Sequence, residues 1–164
     1  MTHNNQVVRF RIGKEAFGVE IGSVQEIVTV PEITKVPDTP DFLEGIINLR
    51  GKIVSVIDLR KRLRLDGAAR DKKNRILVSE ISGRVVGLIV DEVSEVLKLA
   101  HDRIEPPPDL VNSAGVEYIT GVGKIDDKII LLLDLGKILS AQDIGTLPQG
   151  IDPAGDTTAQ VRAA

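Results

Sequence analysis

The residue types that do chemistry are thinly spread along this chain, and their spacing says what they are not for. There is no cysteine, which removes thiolate nucleophiles, thiolate metal sites and disulfides together and fits a reducing compartment. The two histidines stand far apart, His3 near the N-terminus and His101 in a charged stretch, so no Cys/His pair or ligand cluster is in view. Acidic pairs occur at Asp91-Glu92 and Asp126-Asp127. Each falls at a strand turn, where solvated carboxylates are expected rather than a general acid and base. Gly121-Val122-Gly123 lies within a strand pattern and lacks the Lys-Ser/Thr of a phosphate-cradling loop. The expectation is therefore no enzyme, with no catalytic, metal-binding or cofactor-binding residue.

Two charged features remain. Arg50, in Asn48-Leu49-Arg50-Gly51, brings a fixed charge and a five-donor fork to what reads as a hairpin tip. Residues 60–75, RKRLRLDGAARDKKNR, hold eight basic and two acidic side chains, enough to raise the question of nucleic acid. Aromatic residues make up 2% of the chain and its formal charge is −3, so base-stacking platforms and an overall basic field are both missing. The run is expected to be a solvated helix end, favoured by the helix dipole, that leads into a linker.

Strands must position these residues. Val8, Phe10 and Ile12 alternate with Arg9 and Arg11, and Phe17, Val19 and Ile21 alternate with Gly18 and Glu20. That pattern predicts a half-buried hairpin turning at Gly13-Lys14-Glu15. Further strand-like runs fall at 26–30, 45–49, 52–57, 75–82, 84–90, 93–98, 118–125 and 128–133, short and closely spaced as in small barrels or a sandwich. Asp58 is placed to cap a helix LRKRL, and Asp134 to cap LGKILSAQ. With 42% hydrophobic and 27% charged residues the chain can bury a core. No signal peptide or membrane span is read from it, and a cytoplasmic location is expected. Residues 147–164, rich in Gly, Pro, Ala and Thr, are expected to be a disordered tail after an ordered part at 1–146.

The chain also repeats itself. FGVEIGSVQEIV (17–28) aligns without gaps on VGLIVDEVSEVL (86–97), and FLEGIINLRGKIVSVIDLRKRL (42–63) on YITGVGKIDDKIILLLDLGKIL (118–139). The first repeat spans about 6–65 and the second about 75–143, each too small to be stable alone, so a shared core is expected. Residues that build the unit should recur: Asp58/Asp134 and Gly45/Gly121 do. At the hairpin tip the copies part, with Arg50-Gly51 facing Asp126-Asp127. Either Arg50 serves something beyond the turn, or it caps carbonyls or pairs with a nearby Asp.

FGVEIGSVQEI, the Pro37–Pro40 loop leading into FLEGIINLRGKIVSVIDLR, GRVVGLIVDEVSEVL and EYITGVGKIDDKIILLLDL, in this order over about 6–143, resemble the CheW family of bacterial chemotaxis adaptors. The resemblance implies an all-β fold of two small Src-homology-3-like five-stranded barrels with short helices, in which the first strand of each half packs with the other half's barrel. It implies an adaptor that couples the cytoplasmic tips of methyl-accepting chemoreceptors to the histidine kinase CheA, recruited to membrane-associated arrays without inserting in the membrane or binding nucleic acid. Receptor-facing positions by resemblance are Val24, Glu26, Ile33, Gly45, Arg50, Val93 and Val96; kinase contacts are not assigned. Physically, an apolar groove between barrels would take one face of a helical hairpin while Arg50 and Glu26 at its rim select register. Core packing is the plainer expectation for Val93 and Val96, and scaffold for Gly45. The alternatives are an adaptor of a non-swimming array pathway and, from another class, a small barrel binding nucleic acid through residues 60–75.

Overall fold

In the computed structural model, residues 5–65, 70–106 and 118–148 are described. The alternating stretches become β1 (Asn5–Ile12) and β2 (Glu15–Glu20), an antiparallel hairpin that sets Phe10 opposite Phe17 with their rings stacked. There follow β3 (Glu26–Thr29), β4 (Leu43–Leu49), β5 (Lys52–Asp58), the one-turn helix α1 (Leu59–Arg62), β6 (Arg75–Ile81), β7 (Arg84–Val90), β8 (Glu92–Leu99), the two-residue β9 (Ile104–Glu105), β10 (Ile119–Ile125) and β11 (Lys128–Leu133). Two helices close the described chain, α2 (Leu135–Ile138) and α3 (Ala141–Thr146).

The strands form two curled sheets, one ordered β8-β1-β2-β11-β10-β9 and the other β3-β6-β7-β5-β4. Apart from the extra β9, the orders are the same once the repeat is taken into account. In each sheet the opening hairpin of one half lies between strands of the other half, and not its first strand alone. β2 runs parallel to β11, with Phe17 beside Leu131, and β7 runs parallel to β5, with Val86 beside Ser55.

Pleating then divides the apolar residues. Val54 and Val56 on one face of β5 join Ile47, Ile76, Val78 and Ile89 inside the curl of the five-stranded sheet. Ile57 on the opposite face joins a larger cluster drawn from both halves, with Phe10, Phe17, Leu77, Leu88, Leu133 and Ile138 among its members. Burying each such side chain is worth about 1.5–3 kcal/mol, so the shared cluster ties the two sheets together.

Both helix caps form: the Asp58 carboxylate accepts from the Arg60 amide at 3.0 Å and the Asp134 carboxylate from the Gly136 amide at 2.9 Å. LGKILSAQ, however, is not one helix. Leu139 is extended, and Ser140 and Asp143 exchange side-chain-to-amide bonds at 3.0 Å each, a capping box that starts α3 anew. Leu147, where the tail was expected to begin, is buried against the shared cluster; the rest of that expectation, from residue 149, lies outside the described residues.

Candidate protein-binding groove

The β4–β5 turn is as tight as a hairpin allows. Leu49 pairs with Lys52, leaving Arg50 and Gly51 as the two turn residues, with φ of 52° and 88°. Positive φ at both positions is the type I′ geometry whose twist matches the strands, and the Asn48 side chain accepts from the Gly51 amide at 2.7 Å. Glycine suits the second place; arginine at the first adopts a conformation disfavoured for its side chain. In the other repeat the same place is held by Asp126 at φ 54°, a residue type that tolerates it. Arg50, though 69% exposed, pairs with Glu26 of β3, which is 30% exposed. The carboxylate's hydrogen bond, and then its charge, hold the Arg50 guanidinium above its ordinary pKa. Two of the residues singled out in the sequence therefore meet, at the mouth of an open pocket of about 390 Å³ whose apolar lining includes Leu49, Val78 and Val85.

Val93 and Val96 lie on the edge strand β8, and Val24 stands two residues before the edge strand β3. Val24 and Val93 are half-buried and pack against the shared cluster. Val96 is 48% exposed, which corrects the expectation that it packs inward. β8 is the last strand of its sheet, and a bulge opposite Arg9 and Phe10 breaks its alternation. Ile27 on β3 is 40% exposed and was not singled out. The duplication carried the signal, since Ile27 aligns with Val96 as Val24 aligns with Val93. Ile27 stands opposite Leu77 and Val96 opposite Val8, and both partners belong to the shared cluster. Cross-strand partners project to the same side of a sheet, so Ile27 and Val96 face the side on which the two sheets meet. The arrangement is an apolar surface on two related edge strands, while Glu26, opposite Val78 of the inner cluster, sets the Glu26–Arg50 pair on the other face of β3.

Ile33 and Gly45 stand together elsewhere. Ile33 packs on the inner cluster of the five-stranded sheet, and a Cβ on Gly45 would lie 2.4 Å from the Thr34 carbonyl and 2.6 Å from Ile33 Cγ2. Gly45 thus lets the Thr34–Ile46 bridge close, in line with its recurrence as Gly121.

A family model described as a CheW-like domain matches residues 6–143. The chain belongs to the CheW-like family. It is 37% identical over 143 residues to chemotaxis protein CheW of Klebsiella aerogenes, covering 87% of this chain and 86% of that protein. It is 31% identical to chemotaxis protein CheW of Treponema pallidum, over 87% of this chain and 86% of the relative. The crystal structure of the scaffolding protein TtCheW from Thermoanaerobacter tengcongensis superposes with a TM-score of 0.77 at 40% identity, over 87% of this chain and 92% of that one.

In this CheW-like chain the basic run is only in part the solvated helix end it was expected to be, and its residues 66–69 lie outside the described residues. The Arg60 side chain is 11% exposed and reaches Asp58 at 3.5 Å and Asp91 at 3.7 Å. Arg70 reaches Asp58 at 3.1 Å and Glu44 at 3.3 Å, and Arg62 reaches Asp143 at 3.0 Å and lies over the Phe42 ring. Its acids come from other elements, so the run joins parts of the fold and much of its charge is met internally. Lys61, Arg64, Lys72 and Lys73 remain exposed. Asp91 and Glu92 likewise depart from the solvated turn: Asp91 is buried and accepts from the Gly13 amide at 2.7 Å, while Glu92 pairs with Arg11 at 3.0 Å. Among the described residues no cluster of His, Asp and Glu is arranged to hold a metal, and no helix is long and apolar enough to cross a membrane.

Proposed function

We propose that the chain is a chemotaxis adaptor that couples the cytoplasmic tips of chemoreceptors to the histidine kinase CheA, by binding and without chemistry of its own. Membership of the CheW-like family supports the scaffold role. The observation that carries the finer reading is the pairing of exposed apolar side chains on two related edge strands, Ile27 and Val96, with the Glu26–Arg50 ion pair on one of them. A receptor hairpin of helices would lay its apolar face on Val24, Ile27, Val93 and Val96 and reach around the β3 edge, where Glu26 and Arg50 on the strand's other face fix register through charge. Ile33 and Gly45 shape the β4 edge of the five-stranded sheet that also carries β3.

The test is a co-purification in which the chain must retain both CheA and a receptor signalling fragment from the same cell. Capture of neither would end the adaptor reading. Arg50→Ala, measured by calorimetry, is expected to weaken assembly about tenfold with the melting temperature nearly unchanged. Arg50→Lys should recover only part, because an ammonium lacks the planar fork. Asp126→Ala, at the matching tip of the second repeat, should bind normally. Equal losses in Arg50→Ala and Asp126→Ala would remove Arg50 from the contact surface.

A further inference from the structure

The end of the described chain is held by arginines from elsewhere in the fold. Arg84, the first residue of β7, donates to the Ile144 carbonyl at 2.8 Å, to the Leu147 carbonyl at 3.3 Å and to the Pro148 carbonyl. Ser55 of β5 also donates to the Pro148 carbonyl, at 3.4 Å. At the other end Arg62 donates to the Ile138 carbonyl at 2.7 Å and pairs with Asp143. Between these anchors α3 has six residues, too few to be helical unaided, and buries Ile144 and Leu147. Arg84 is desolvated enough to lower its pKa, although its guanidinium retains its charge at any physiological pH.

The anchor residues are chain neighbours of the Glu26–Arg50 pocket. Val54 and Val85 line that pocket, and Ser55 and Arg84 are the next residue after one and the residue before the other. Successive residues of a strand project to opposite faces, so pocket and C-terminal segment lie against the two sides of the same pair of parallel strands.

We propose that α3 through Pro148 is a strap whose fastening by Arg84 sets the shape of the Glu26–Arg50 pocket. Fastened, it immobilises the middle of β5 and the start of β7 and preorders the pocket; released, it lets both strands move. Coupling of this kind is reciprocal, so a change at the pocket must loosen or tighten the strap. The proposal does not depend on which partner the pocket takes.

Amide hydrogen exchange and nitrogen-15 spectra of the full chain test it with no partner present. In Arg84→Ala the amides of Ile144 to Leu147 should exchange at least tenfold faster while those of Leu77 and Leu88 keep wild-type rates. The Arg50, Gly51 and Val85 resonances should shift in the same variant. Arg84→Lys should fall between. Glu26→Gln, at a half-exposed position that endangers folding little, should in turn change exchange at Ile144 and Leu147. A faster strap with an unmoved pocket in Arg84→Ala, or an unmoved strap in Glu26→Gln, overturns the proposal, and the second arm decides it even if Arg84→Ala does not fold.

Discussion

Asp58 and Asp134 cap equivalent helices, yet their loss should not cost the same. Asp134→Ala removes one side-chain bond to the Gly136 amide on a half-exposed helix start, worth about 1 kcal/mol. Asp58→Ala removes that cap and also the anion that Arg60 and Arg70 share, in a carboxylate only 2% exposed. Breaking a buried ion pair from one side costs about 3–5 kcal/mol. Here Arg60 keeps Asp91 and Arg70 keeps Glu44, which places the total for Asp58→Ala near the low end, about 3 kcal/mol. That is a large part of the roughly 5–15 kcal/mol that holds a domain folded. Asp58→Asn retains an acceptor for the Arg60 amide and should recover the cap's share, about 1 kcal/mol, but not the charge. Urea unfolding with an unchanged m-value is the assay. A loss in Asp58→Ala no larger than in Asp134→Ala would refute the reasoning, as would an Asp58→Asn variant of wild-type stability.

Two further outcomes follow from the same structure. Arg70→Gln should destabilise by about 1 kcal/mol, the group being partly exposed, whereas Lys72→Gln and Lys73→Gln should stay within about 0.5 kcal/mol; equal values by thermal unfolding would return the basic run to solvent. The Ser79 hydroxyl is fully buried and has no hydrogen-bond partner among the described residues, so Ser79→Ala should be neutral or stabilise by up to about 1 kcal/mol, and a clear loss in denaturant midpoint would mean that the hydroxyl has a partner.

What the sequence disclosed was local in its physics. The hairpin over Phe10 and Phe17 follows from period-two alternation, and the helix starts follow from Asp58 and Asp134, whose partners lie two residues away. The repeat was visible because both copies need the same glycines and caps. Asp91 and the paired arginines of the basic run were misread because their partners are remote in sequence: Asp91 meets Gly13, and Arg62 meets Asp143. Composition counts charges without showing which will be neutralised. Val96 was misread for a related reason, since alternation describes a strand's faces and not whether another strand flanks it. For Arg50 the contrast between the copies marked a departure from an ordinary turn, while its pairing with a carboxylate, that of Glu26, emerges only once β3 and the β4–β5 turn are placed side by side.

The exchange of hairpins between the sheets has a consequence for synthesis. Phe17 reaches its parallel partner Leu131 only after more than a hundred further residues have been made. At about 5–20 residues per second the wait is on the order of ten seconds. A lone two-stranded hairpin is marginal in water, so β1 and β2 spend most of that interval unflanked, β1 until β8 is made and β2 until β11, with Phe10 and Val19 uncovered. The five-stranded sheet has no such delay, since β7 follows β5 within a few tens of residues. The nascent chain therefore has one sheet that can close on the ribosome and one that must wait for β11, and the first hairpin made is among the last elements to be buried.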